Sequence, residues 1–173
     1  GTNTQAHLWP NVRDAFFADL TELHQQCGPW DVVLFTGDLV QRGDEAEFEQ
    51  LDHLFDQLWS HLNKLGSTPV LLAVPGNHDL TRPKKTSAVR TLNRWHDEPE
   101  IQPEFWQDAE SEYREVITQA FANYQRWWRN TPLRQSLTIE EGLLPGDFSV
   151  SWHKDGLSIG LVGLNTTFLQ LTS

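Results

Sequence analysis

Two short apolar runs in this chain each end in side chains that can bind a cation or move a proton. Val70–Asp79 reads VLLAVPGNHD and closes on Gly-Asn-His-Asp; Val32–Asp38 reads VVLFTGD and closes on Gly-Asp. A carboxylate holds a metal ion, a neutral amide oxygen adds a ligand without adding charge, and an imidazole exchanges a proton near neutral pH. Runs of this kind predict buried parallel strands that deliver a site at their carboxyl edge. Taken singly, an Asp after a strand is usually a turn former or helix cap, and a loop His usually does nothing. The signal is their joint placement, each group just past an apolar run.

Thr36–Gly43 (TGDLVQRG) and Pro75–Asp79 (PGNHD) resemble the second and third signature blocks of the calcineurin-like metallophosphoesterases. The resemblance implies that Asp38 bridges two metal ions, that Asn77 binds the second, and that His78 acts on the substrate with Asp79 orienting it. Arg42 falls where the family usually has its arginine, while Gln41 replaces a common Asp. The implied cofactor is a pair of divalent ions, Mn, Fe or Zn. Two ions about 3.5 Å apart neutralise a phosphate ester and lower the pKa of a bridging water. His78 would protonate the leaving oxygen or hold a phosphoryl oxygen. The family's opening Asp-x-His block and its later Gly-His-x-His block have no counterpart here. Gln5-Ala6-His7 shares the outline of the first, but a Gln supplies no anionic oxygen. The expectation is therefore a partial site, with further sequence on both sides.

Around these loops the spacing predicts a first helix over Asn11–Gln26, with Val12, Phe16, Leu20, Leu23 and Cys27 on one stripe and Gly28 at its stop. Cys27 reads as a small buried hydrophobe. A second helix spans Asp44 to about Leu65, opened by an Asp44/Glu47 capping box; its acids read as a solvated face. Strand, helix and strand then make a βαβ unit. Gln102–Asn130 reads as one long helix with an aromatic stripe, and residues 80–142 as a helical insertion capping the site, within a single partial domain over 1–173. Phe148, Val150 and Trp152 alternate, Asp155-Gly156 makes a hairpin turn, and Leu157–Leu164 reads as a buried strand ending at Asn165.

Arg82, Lys84, Lys85, Arg90 and Arg94 follow the Gly-Asn-His-Asp loop with no acid from Leu80 to Trp95. This is the main charge asymmetry: either Arg42, Arg82, Lys84 and Lys85 receive a phosphate-bearing substrate, or the segment is a solvated loop and short helix, or it forms ion pairs with the acidic helix. The chain's net charge of −11 disfavours passive attraction to nucleic acid or anionic membranes, yet is compatible with a small basic patch. A lone cysteine allows no internal disulfide and points to a reducing, cytoplasmic setting. No run approaches the ~20 apolar residues of a membrane span.

Gly156-Leu157-Ser158-Ile159-Gly160 matches the Gly-x-Ser-x-Gly pattern of serine hydrolases, but that motif needs strand, sharp turn and helix in order, and here a turn precedes an apolar strand. Asn165-Thr166-Thr167 fits a glycosylation sequon without other signs of secretion. The sequence thus predicts an α/β metallophosphoesterase-like layered sheet flanked by helices. The expected reaction is metal-dependent hydrolysis of a phosphomonoester or phosphodiester. The rival is a catalytically silent binding or regulatory domain on the same fold.

Overall fold

A computed structural model describes residues 8–134 and 137–172, with side chains described from residue 12 onward. Gln5-Ala6-His7 lies outside the described residues. The order of elements is α1 (Leu8–Cys27), β1 (Val32–Phe35), α2 (Glu45–Lys64), β2 (Val70–Ala73), α3 (Ser87–Leu92), α4 (Ile101–Gln107), α5 (Glu112–Ala120), α6 (Ala122–Asn130), a 3-10 turn at Pro132–Arg134, then β3 (Ile139–Glu141), β4 (Phe148–Lys154) and β5 (Leu157–Gly163).

β1 and β2 pair in parallel, Val32 opposite Val70 through Phe35 opposite Ala73, with α2 as the crossover. The pairing sets the two polar loops side by side, because parallel strands end on the same edge. α2 forms as its spacing demands. Asp44 caps it by accepting from Glu47 N at 3.0 Å, and Gly66 leaves it at φ +88, a conformation that costs a glycine little. Its buried stripe is Phe48, Leu51, Phe55, Trp59 and Leu62.

Those residues join Leu71, Leu72 and Ala73 of β2, Tyr124, Trp127 and Trp128 of α6, and Phe148 and Val150 of β4 in one apolar cluster. A second cluster unites Leu80, Val89 and Leu92 with Phe105, Ile117, Phe121 and Leu171. The helical segment therefore has two allegiances. α3, α4 and α5 supply the second cluster, whereas α6 belongs to the first, where the Tyr124 hydroxyl donates to the Ala73 carbonyl at 2.8 Å.

Four expectations are corrected. The single helix over Gln102–Asn130 is three helices. Asp108 leaves the helical region at ψ 108, and its carboxylate accepts Glu110 N at 2.8 Å. Ser111 then caps a new helix by accepting Arg114 N, so local side-chain bonds outcompete the helical ladder. The strand expected to be buried over Leu157–Leu164 is instead an outer strand among the described residues, paired only with β4, with Leu157 65% and Val162 72% exposed. Only Gly163 is buried along it; a Cβ there would meet the Phe148 ring. Cys27 is exposed rather than buried. The first helix turns a different face inward from the one expected: Phe17 stacks on His61 at 4.6 Å and the Thr21 hydroxyl lies 3.1 Å from His61 Nε2, while Val12 and Leu23 are exposed.

The β4–β5 hairpin forms as expected, with Asp155 at φ 50 and Gly156 at φ 80 in its turn. Ser158 sits in β5 opposite His153, so no nucleophile elbow exists there. No helix among the described residues is long and apolar enough to cross a membrane.

The bond from Tyr124 to Ala73 is buried at both ends, so Tyr124→Phe strands a carbonyl without filling or emptying space. It should cost about 1–3 kcal/mol in urea unfolding; an unchanged midpoint would show that α6 does not help to hold β2.

Candidate functional site

β1 ends at Phe35, and the chain turns at once through Gly37 at φ 116 and Asp38 at φ 57. A left-handed aspartate is uncommon outside turns and functional loops. The turn carries the Asp38 carboxylate across to the loop after β2, where Oδ1 accepts the backbone N–H of His78 at 3.1 Å. Oδ2 takes no hydrogen bond among the described residues.

Two glycines make this approach feasible. A Cβ on Gly37 would lie 2.8 Å from Gly76 Cα, and one on Gly76 would run into the backbone and carboxylate of Asp38. The third, Gly43 at φ 65, closes the first loop where a Cβ would stand 2.8 Å from the Asp79 carbonyl carbon. Each glycine in the two blocks thus marks a place where one loop's backbone meets the other's.

Asp79 is fully buried, and its carboxylate serves the backbone. Oδ1 accepts Val40 N at 2.9 Å and Oδ2 accepts Gly76 N at 2.7 Å, one amide from each loop. Burial raises its pKa, opposed by those N–H donors and reinforced by the neighbouring Asp38 carboxylate. The expectation that Asp79 orients His78 is not how the groups meet. His78 Nδ1 instead lies 3.0 Å from the Gln41 carbonyl oxygen. A carbonyl only accepts, so Nδ1 carries a hydrogen and Nε2 is the ring nitrogen left for other work. The backbone of Gln41 thereby supplies the imidazole's partner.

Glu47 is a participant that the sequence reading placed elsewhere. Its side chain does not return to Asp44 N to complete a capping box. Glu47 Oε2 accepts Arg42 N at 2.7 Å and Gln41 N at 3.2 Å, fastening the first loop to the start of α2. The signal for it was its place one turn into the helix that follows the loop, which a capping box equally explains. Asp52, also read as part of a solvated face, accepts the Trp127 indole N–H at 2.7 Å.

Of the basic residues, Arg42 is exposed on the first loop, and Arg82 donates to the Gln170 carbonyl. Lys84 and Lys85 are exposed and make no ion pair among the described residues, and Arg94 pairs with Glu98 at 2.6 Å. Arg94 thus pairs within its own segment rather than with the acidic helix, and Lys84 and Lys85 are exposed to solvent. Asn165 is buried and structural: its amide donates to the Pro145 carbonyl at 2.9 Å, its oxygen accepts from Thr167, and its backbone N–H donates to Asp147.

A model of the calcineurin-like phosphoesterases matches residues 7–166. The chain belongs to the calcineurin-like phosphoesterase family. Neither a curated protein nor a solved structure matches it.

The donor set fits a divalent ion in kind. Asp38 offers a carboxylate oxygen, and Asn77, half-buried and next in sequence to His78, offers a neutral amide. These two do not complete a coordination shell, and no three His, Cys, Asp or Glu side chains converge to hold an ion among the described residues.

Replacing Asp79 by Asn puts an amide N–H against a backbone N–H and leaves one buried donor unpaired. Asp79→Asn should lose about 1–3 kcal/mol of stability, read by urea unfolding without metal; wild-type stability would return Asp79 to the role of a mere partner for His78.

Proposed function

We propose that this domain is a metal-dependent phosphoesterase that hydrolyses a phosphomonoester or phosphodiester at the edge shared by β1 and β2. The observation that carries the reading is the Asp38 carboxylate resting on the His78 backbone amide at 3.1 Å. It joins the Gly-Asp loop to the Gly-Asn-His-Asp loop in one place. Family membership supports phosphoesterase-type chemistry and a divalent cofactor in general terms.

Asp38 and Asn77 are the proposed metal ligands, with other donors filling the remaining positions. When bound, the metal pair supplies Lewis-acid activation of water and neutralises the ester's charge. The chain's own residues do the rest. Nδ1–H of His78 is engaged by the Gln41 carbonyl, which leaves Nε2 to the substrate; carrying a second proton there, the ring gives it to the leaving oxygen or hydrogen-bonds a phosphoryl oxygen with it. Arg42, with Lys84 and Lys85, is proposed to meet the phosphate's negative charge; Arg82 contributes with the donors its contact to Gln170 leaves over. Asp79 acts at one remove, by keeping both loops where these groups converge. The metals are proposed to be the divalent ions that the family resemblance implies, Mn, Fe or Zn.

Asp38→Ala should abolish both Mn²⁺ binding and hydrolysis of bis(p-nitrophenyl) phosphate or p-nitrophenyl phosphate. His78→Ala should keep the metal and slow turnover by roughly 100-fold or more; unchanged kinetics would remove His78 from the chemistry. A full-length preparation that takes up no metal and hydrolyses neither ester would make the domain a phosphoesterase-like binding module.

A further inference from the structure

We propose that Asn123, near the start of α6, is a positioning residue of the site: together with Thr81 it holds the Gly43 carbonyl, and through it the Gln41 carbonyl that orients His78. The activity part of this inference rests on the phosphoesterase reading; the geometric part does not.

Asn123 Nδ2 donates to the Gly43 carbonyl at 2.8 Å and to the Thr81 hydroxyl at 3.3 Å. The Thr81 hydroxyl donates in turn to the same Gly43 carbonyl at 2.9 Å. Each group uses the capacity its chemistry gives it: the carbonyl accepts twice, the hydroxyl donates once and accepts once, and the amide nitrogen donates twice. Thr81 is itself anchored, its backbone N–H donating to the Ala120 carbonyl at 2.8 Å. One carbonyl of the Gly-Asp loop is thus gripped by two donors from outside that loop. One donor follows the Gly-Asn-His-Asp block, and the other comes from a helix about eighty residues downstream of Gly43.

The two ends of the Gly-Asp loop are secured separately. At the Asp38 end the anchors are the His78 amide and the close fit of Gly37 against Gly76. At the Gly43 end Thr81 and Asn123 hold the carbonyl, the Gly43 backbone lies against Asp79 and Leu80, and Glu47 takes the amides of Gln41 and Arg42. Gln41 stands two residues before Gly43, and its carbonyl faces His78 Nδ1. Loosening the Gly43 end therefore disturbs the imidazole's partner before it disturbs Asp38. Proton transfer should suffer while metal affinity is kept, a split that general loosening would not produce.

The test uses the full-length protein with Thr81→Val, Asn123→Ala and the double variant. Three quantities are read: Mn²⁺ affinity by calorimetry, kcat and KM on bis(p-nitrophenyl) phosphate, and the His78 ring tautomer from ¹⁵N-histidine spectra without metal. Each single variant leaves one donor on the carbonyl, so kcat should fall less than about fivefold. The double variant should fall about 50-fold, beyond the product of the singles, with KM and the Mn²⁺ dissociation constant within about twofold of wild type. Its His78 spectrum should lose the Nδ1–H signature that the singles keep. A double variant with a wild-type ring spectrum, or one whose Mn²⁺ affinity falls in step with kcat, overturns the proposal. Should the double variant not fold, Asn123→Asp decides: its carboxylate keeps the shape, cannot donate to the Gly43 carbonyl and accepts the Thr81 hydroxyl proton in its place, so both donors are lost at once; an unaltered Nδ1–H signature there overturns the proposal as well. Wild-type protein that binds Mn²⁺ yet hydrolyses no ester sinks the phosphoesterase reading instead, and the ring spectra still decide the clamp.

Discussion

Asp79 sits out of reach of water, with one carboxylate oxygen on an amide of the Gly-Asp loop and the other on an amide of the Gly-Asn-His-Asp loop. Burying a carboxylate is costly unless its oxygens find donors, and a buried N–H without an acceptor is costly too. The arrangement answers both demands only while the loops stay in contact. Separation would strand the carboxylate and two amides together. The bare glycine contacts at Gly37, Gly43 and Gly76 follow from the same need, since amides reach a shared carboxylate only if the backbones lie this close.

Other parts of the molecule reach the same loops from different sides. Glu47 takes the amides of Gln41 and Arg42 from the start of α2, and Thr81 and Asn123 take the Gly43 carbonyl. Tyr124, next to Asn123, fixes the end of β2 through Ala73. The first loop is thus tied by its backbone at Val40, Gln41, Arg42 and Gly43, which leaves the side chains of Asp38 and Arg42 to face outward. A loop held by its main chain can spend its side chains on chemistry, which is the kind of rigid support a reacting group requires.

This tethering also explains why the acids of α2 divide as they do. Their periodic avoidance of the apolar stripe is real, and Glu45 behaves as a surface group paired with Arg126. Glu47 and Asp52 flank the apolar stripe on opposite sides, and each meets a donor brought in by another element: loop amides in one case, the Trp127 indole in the other. Periodicity says which side of a helix a residue faces. It says nothing of what stands opposite, because that partner comes from chain that is remote in sequence.

Local patterns settled much of this protein. The two apolar runs with ligand-type endings, α2 with its Asp44 cap and Gly66 stop, and the Asp155-Gly156 hairpin were all legible, because short-range sterics and burial period govern them. The blocks Thr36–Gly43 and Pro75–Asp79 likewise named the family. Tertiary structure alone decided the duties within those blocks: that Asp79 holds backbone, that Gln41 faces His78, and that Asn123 reaches Gly43. It also left β5 on the outside. Each of these outcomes depends on a group the chain supplies from elsewhere, or on which strand finds a neighbour, and no window of sequence contains that information.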